Sequence, residues 1–304
     1  MALDRRRSPT LRLRLRLGGR VIRIGGSGTP YQLLASGLEG VESAEAAPVF
    51  RENAQLDGSY LTAARVPGRD ITVTFEIADH ANREALRREL ISFFAPKAEG
   101  ELKITRGSVT RSVSCRLSGR VSFLQETLSH YIRVRVPLFC ADPYFYDDTV
   151  SAGLTRTADG LITFPLTLTQ EAGLTAGMPA SSDKITVDNR GDTETGFLLT
   201  LSVGPGNGVS AAECRAVNPC IAPEGADGVH IRVLTTLYAG DVLTVCTVPG
   251  QKAIYKNGER CMLFDRESSF FSLPVGRNVM ALSADTLDGV LSASAAYRLR
   301  YFGV

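Results

Sequence analysis

The side chains able to do chemistry are few and scattered. Three histidines, His80, His130 and His230, lie in separate segments, so a zinc site of three imidazoles would need all of them to converge from distant parts of the chain. His80 reads instead as part of the first turn of a helix, and the other two as strand-end residues. The run Asp188-Asn189-Arg190-Gly191-Asp192-Thr193-Glu194 puts three carboxylates into seven residues. A calcium loop wants oxygen ligands at alternate positions before its glycine, and Arg190 sets a cation where the ion would sit, which points to an Asx-type turn. Asp147 and Asp148 are adjacent, hence on opposite faces of an extended segment, a poor arrangement for a shared-proton pair. Gly204-Pro205-Gly206-Asn207-Gly208 has the glycines of a phosphate cradle, but no helix pattern follows it, so it reads as a hairpin loop. No G-x-S-x-G or Walker sequence occurs. The expectation is a protein without catalytic residues, cofactor or metal.

Charge is more informative than catalysis. The 304 residues carry 34 Lys and Arg against 32 Asp and Glu, a formal net charge of +2, which gives no whole-molecule reason to expect a nucleic-acid binder. That balance conceals a gradient: residues 1–148 hold 22 basic and 17 acidic side chains (+5), residues 149–304 hold 12 and 15 (−3). The excess sits at the start, where residues 1–23 contain eight arginines and one aspartate. Arg12, Arg14 and Arg16 alternate with Leu11, Leu13, Leu15 and Leu17, so a strand here has one face of leucine and one of arginine. Together with Arg20 and Arg23 these arginines are the candidate interface residues. Three readings of the row stay open: a solvated outer face, contact with acidic groups on another subunit, or contact with phosphates of DNA threading past. Residues 24–148 are net −2 and no aromatic residues interleave with the arginines, which weighs against the last.

The elements that would position these residues are nearly all strands. A hairpin is expected from 11–17 and 20–24 around Gly18-Gly19. Further strands are expected at 31–38, 71–77, 102–105, 109–117 and 131–136. A single helix is expected over 79–95: Asp79 is placed as its N-cap, Leu86, Leu90, Phe93 and Phe94 line one side, Glu84 faces Arg88 one turn on, and Pro96 stops it. Phe93, Phe94, Tyr144 and Phe145 are expected to seal the core of this half.

A boundary is readable after Asp142-Pro143-Tyr144-Phe145-Tyr146-Asp147-Asp148, with 149–157 as a linker. The second half shows short alternating runs at 161–169, 184–189, 197–203, 230–234, 241–248, 253–256, 270–273, 279–283 and 297–302. Asn257-Gly258 is the strongest hairpin signal among them. The architecture expected is therefore mostly β, with two β-sandwich domains: 1–148 with the helix and a protruding N-terminal hairpin, and 149–304 as a galectin-like or jelly-roll sandwich. Phe270, Phe271 and Leu273 are expected in the core of the second. The six cysteines, Cys115, Cys140, Cys214, Cys220, Cys246 and Cys261, form no C-x-x-C and read as reduced thiols, Cys214 and Cys220 being near enough in sequence to bridge a loop on oxidation. No apolar run approaches the ~20 residues that span a bilayer, and the arginine-rich start lacks a signal peptide's apolar region, so folding is expected where the chain is made.

A set of short motifs occurs in an order that resembles the distal tail (Dit) proteins of long-tailed phages. These are Ser36-Gly37-Leu38-Glu39-Gly40, Leu56-Asp57-Gly58-Ser59-Tyr60, Pro67-Gly68-Arg69-Asp70-Ile71, Leu90-Ile91-Ser92-Phe93-Phe94-Ala95-Pro96, Ser118-Gly119-Arg120 and the run from Val136 through Asp142-Pro143-Tyr144-Phe145-Tyr146. The second half adds Asn189-Arg190-Gly191-Asp192, the Asn257-Gly258 hairpin and the run from Ser269 to Asn278. The resemblance implies a non-enzymatic structural protein of the virion. It implies a homo-hexameric ring at the tail tip, or baseplate, formed by the N-terminal domain and assembled in the bacterial cytoplasm. One side of that ring would meet the tail tube protein and the other the tail-tip hub protein, with receptor-binding or side-fibre proteins attached through the C-terminal domain. The strict leucine-arginine alternation is a departure from the family. The alternative function is a carbohydrate-binding sandwich for attachment to a host surface, which the absence of Trp disfavours. A wall hydrolase remains a third class, without a particular carboxylate pair to support it.

Overall fold

The computed structural model describes residues 11–52, 57–79, 81–125, 131–154, 184–205, 213–226 and 228–304. The chain divides into two compact units, Met1–Asp148 together with Arg300–Val304, and Thr149–Leu299. The first carries β1 (Leu11–Leu17), β2 (Arg20–Ile24), β3 (Tyr31–Glu39), β4 (Ala47–Glu52), β5 (Ser59–Arg65), β6 (Arg69–Ile77), α1 (Arg83–Phe93), β7 (Glu99–Arg106), β8 (Val109–Leu117), β9 (Ser122–Gln125), β10 (Ile132–Cys140) and the start of β11 (Phe145–Leu154), whose residues from 149 on count with the second unit. The fold is mostly β, as the alternation implies.

In the first unit the order β2-β1-β7-β8 forms one section of sheet and β9-β10-β6-β3 the other, all antiparallel, joined where Leu138 and Phe139 of β10 meet Leu117 and Arg116 of β8. Alternation explains the packing directly. Leu11, Leu13, Leu15 and Leu17 of β1 share a core with Phe75 of β6, Val113 of β8 and Val134 of β10, and burying each leucine contributes about 1.5–3 kcal/mol. Helix α1 adds Leu90 and Phe93 to that core. It starts four residues later than the sequence suggests. Asp79 accepts from the amides of Ala81 and Asn82 at 3.1 and 3.2 Å, forming its own turn ahead of the helix, and Asn82 occupies the N-cap position; short carboxylates compete with helical backbone in this way. Glu84 meets Arg87, 3.9 Å away, rather than Arg88.

Two further expectations are corrected. Residues 149–154 continue β11 rather than forming a linker, in keeping with the β-branched Thr149 and Val150. Tyr144 does not join Phe93, Phe94 and Phe145: it packs against Phe302 at 6.0 Å, while Phe93 and Phe94 meet edge to face at 5.1 Å and Phe145 is buried.

The second unit contains β12 (Lys184–Asn189), β13 (Phe197–Gly204), β14 (Arg215–Val217), β15 (Cys220–Pro223), β16 (Ile231–Arg232), β17 (Thr236–Tyr238), β18 (Val242–Cys246), β19 (Ala253–Lys256), β20 (Glu259–Arg260), β21 (Gly276–Ser283), β22 (Thr286–Asp288) and β23 (Val290–Tyr301), whose last two residues count with the first unit. Its sheets run β23-β13-β18-β19-β20, β12-β21-β15-β16 and β17-β14-β22, with Phe197, Leu199, Leu201, Val245, Val187 and Met280 buried. Asn257 and Gly258 both take positive φ, 51° and 83°, and join β19 to β20 as a type I′ turn requires. Residues 270–273 form no strand; Leu273 makes a single bridge to Thr195. It is buried, whereas Phe270 and Phe271 are half-buried against Phe264 and Phe197. The expected strand at 161–169 lies outside the described residues.

Candidate functional site

The residues that could do chemistry stay apart. His80 and His130 lie outside the described residues, and His230 is a half-exposed loop residue whose carbonyl accepts from Ser269. Among the described residues no three His, Cys, Asp or Glu side chains gather as a metal site. The 188–194 run is a turn held from inside: buried Asn189 accepts from the Gly191 amide at 3.0 Å and donates to the carbonyls of Thr193, Leu273 and Pro274, and Arg190 pairs with Asp188 at 2.6 Å. All six cysteines are reduced thiols, and burial pushes the Cys115 and Cys140 thiols up to about 12, so neither is poised as a nucleophile.

The arginine row splits. Arg12, Arg14, Arg16 and Arg23 are exposed on the outer face of the β1–β2 ribbon. Across that face Arg14 stands opposite Arg23 on one side and Lys103 of β7 on the other, Arg16 opposite Glu101 and Arg12 opposite Thr105. Arg20 belongs to the other face: it pairs with Leu17 in register, reaches Ser92 of α1 at 3.2 Å and lies over the Phe93 ring at 5.4 Å. Five arginines read as one group are therefore four, and the fifth holds the helix.

The ribbon that carries them does not protrude. β1 is paired with β7 along its whole length, from Leu11 opposite Arg106 to Leu17 opposite Gly100. The ribbon set apart is β4–β5, a two-stranded sheet of its own. Every residue of β5 is exposed, as is all of β4 but Ala47. Val49, Phe50, Tyr60 and Leu61 are 51, 59, 55 and 60% exposed. Phe50 stands opposite Leu61 and Arg51 opposite Tyr60, with a bulge between Val49 and Phe50, so apolar surface lies on both faces of the ribbon. Sequence reasoning missed this arm because it has no period to read; Asp57-Gly58, with Gly58 at φ 98°, is the turn signal that marks it.

The arm's root is anchored by a buried cation. Arg69, 6% exposed, donates to the carbonyls of Gly40 at 3.0 Å, Pro143 at 2.9 Å and Phe302, and its guanidinium lies 4.9 Å from the Phe145 ring centre. Burial lowers its pKa. Gly40 has φ 82° and a Cβ there would collide with the Asp70 carbonyl, so the turn before the arm requires glycine. Arg300–Val304 complete the anchorage: the Val304 amide donates to Val41 at 3.0 Å, Arg111 donates to Gly303 and stacks 3.5 Å from the Tyr301 ring centre, and Arg300 pairs with Asp142 at 3.0 Å.

No protein-family model matches the sequence, and no curated protein matches it. Solved structures do. The Dit protein of phage SPP1, described as a paradigm of the hub adsorption apparatus in phages that infect Gram-positive bacteria, superposes with a TM-score of 0.67 at 12% identity, covering 95% of this chain and 98% of that one. The chain has the Dit fold. A chain of the phage P2 baseplate, in its activated conformation with Ca, is similar over 97% of this chain and 99% of that one, with a TM-score of 0.50 and 10% identity. The Dit fold thus extends over both units, although about nine residues in ten differ.

Proposed function

We propose that this chain is a structural protein of a phage tail tip, a Dit-type subunit that forms a homo-hexameric ring without catalysing a reaction. In this reading the first unit builds the ring between the tail tube protein and the tail-tip hub protein, and the second unit is presented to receptor-binding or side-fibre proteins. The protein belongs to the virion and is assembled in the bacterial cytoplasm. Likeness of fold to SPP1 Dit over nearly the whole chain supports the hub role.

The single observation that carries self-assembly is the β4–β5 arm. An isolated two-stranded ribbon is at best marginally stable in water, and this one holds Phe50, Tyr60 and Leu61 in solvent. Apolar surface of that kind is characteristic of a site another molecule covers. A second copy can supply the cover, since a contact made head to tail closes a ring when its rotation divides the circle. Native mass spectrometry of the purified chain tests the reading. The wild type is expected as a hexamer, and the Phe50→Ser, Leu61→Ser double variant as a folded monomer. A wild-type chain that stays monomeric at high concentration would end the proposal.

A further inference from the structure

The outer face of β1, β2 and β7 gathers like charge. Arg23, Arg14 and Lys103 stand side by side across three neighbouring strands, and like charges directly opposite one another destabilise a sheet. Arg12 and Arg16 extend the strip along β1. Glu101 is the one carboxylate set against these five cations in the strand register. The leucines on the reverse face explain why β1 is a strand; nothing in the core asks that the other face be arginine.

The stretch that leads into the arm and through it carries the opposite charge. From residue 39 to 65 it holds Glu39, Glu42, Glu45, Glu52 and Asp57 against Arg51 and Arg65, most of the excess lying ahead of β4, and all five carboxylates are exposed. We infer that the cationic strip of one copy receives the acidic arm segment of the next, so that the arm and the strip are the two halves of one repeated contact. This rests on the ring-forming reading and names the surface that the arm meets. Head-to-tail rings need two different patches on each chain, and these two are complementary in sign. Arginine suits the role because its planar fork takes a carboxylate through two parallel hydrogen bonds. Carboxylates from a neighbour would also relieve the Arg14–Arg23 repulsion, so the strip gains most when it is covered. Nucleic-acid phosphate fits less well, since the strip's outward-facing residues on β1, β2 and β7 include no aromatic side chain on which a base could stack.

The test is a charge swap in the full chain, read by native mass spectrometry and by sedimentation in dilute and concentrated salt. Arg14→Glu with Arg23→Glu is expected to weaken self-association by about ten-fold or more, and Glu45→Lys with Glu52→Lys to do the same. Combining the four substitutions is expected to restore association. Wild-type association should weaken steeply as salt rises. If strip reversal leaves assembly unchanged while Phe50→Ser with Leu61→Ser abolishes it, the arm still makes the ring and the strip is not its seat. Failure of the four-fold variant to recover association overturns the inference too, provided its melting temperature matches the wild type. Arg14→Gln with Arg23→Gln gives the same reading should the reversed strip fail to fold. A labelled oligonucleotide held by the wild type and lost with strip reversal, assembly being intact, would assign the strip to a polyanion instead. A wild type that never associates removes both proposals.

Discussion

Two ribbons from the first 65 residues of the chain have the same local construction and opposite fates. β1–β2 alternates strictly, so its apolar residues fall on one face, and that face meets a core. β4–β5 places Phe50 and Leu61 on one face and Tyr60 on the other, so no rotation or register can bury them all against a single layer. The first ribbon finds its partner within the chain; the second keeps its apolar residues exposed. Periodicity therefore reports intramolecular burial, and β4 and β5, which lack it, keep their apolar residues in solvent.

The same substitution made in each ribbon separates them. Leu15→Ala, at a residue 1% exposed, is expected to cost about 2–5 kcal/mol of unfolding free energy, and Leu61→Ala no more than about 0.5 kcal/mol in the monomer. Denaturant titration of both variants at concentrations that keep the chain monomeric checks this. An equal loss in the two would mean that the arm is part of the first unit's own core, and the contrast would disappear.

The arm's root tests how the second ribbon is held. Replacing Arg69 by methionine keeps some of the apolar stem but leaves the carbonyls of Gly40, Pro143 and Phe302 without their donor. The expected loss is about 2–3 kcal/mol, because each buried acceptor left unsatisfied carries a desolvation cost. Hydrogen exchange should show faster opening at Val41 and Val304, which meet beside this residue, with β1 protected as in the wild type. Uniform loss of protection would show that Arg69 supports the whole unit rather than the arm.

How much of this is legible in the residues follows the same division. β1 and β2 can be placed to the residue, and β12 likewise in the second unit, because buried and exposed positions alternate there; in β8 the alternation is confined to its second half. Strands such as β9, β14 and β22 are too short for a period to show, whereas the equally short β19 is marked by the Asn257-Gly258 turn that follows it. Arg20 falls in with its neighbours because charge alone does not reveal a face; its register opposite Leu17 does. The part played by Arg300–Val304 in the first unit cannot be read at all, since its partners Val41, Arg69 and Arg111 are almost 200 residues or more distant in sequence. The arm's apolar residues are visible as composition, and in the proposed ring the contact that covers them lies between chains.

A third ribbon sharpens the comparison, with the smallest expected effect. β19–β20 is secured by polar contacts at its turn: Asn257 donates to Asp241 at 2.8 Å and accepts from the Val242 amide at 2.8 Å, and Lys256 lies 3.1 Å from the same carboxylate. The hydrogen bond from Asn257 comes first among the causes that hold Asp241 below the usual carboxylate range, followed by the Tyr238 amide. A carboxylate lowered in the folded state contributes stability that is complete above its unfolded value, about 3.9, and is lost as pH falls through the folded one. Acid should therefore loosen this ribbon below about pH 4 while leaving the leucine-packed β1–β2 untouched. Asp241→Asn is expected to lower the melting temperature at neutral pH by no more than about 2 °C and to flatten its decline between about pH 4 and pH 2. A decline as steep in the variant as in the wild type would assign the acid sensitivity to other carboxylates, of which Asp285, lowered by its bonds from Arg232 and Asn218, is the next to replace.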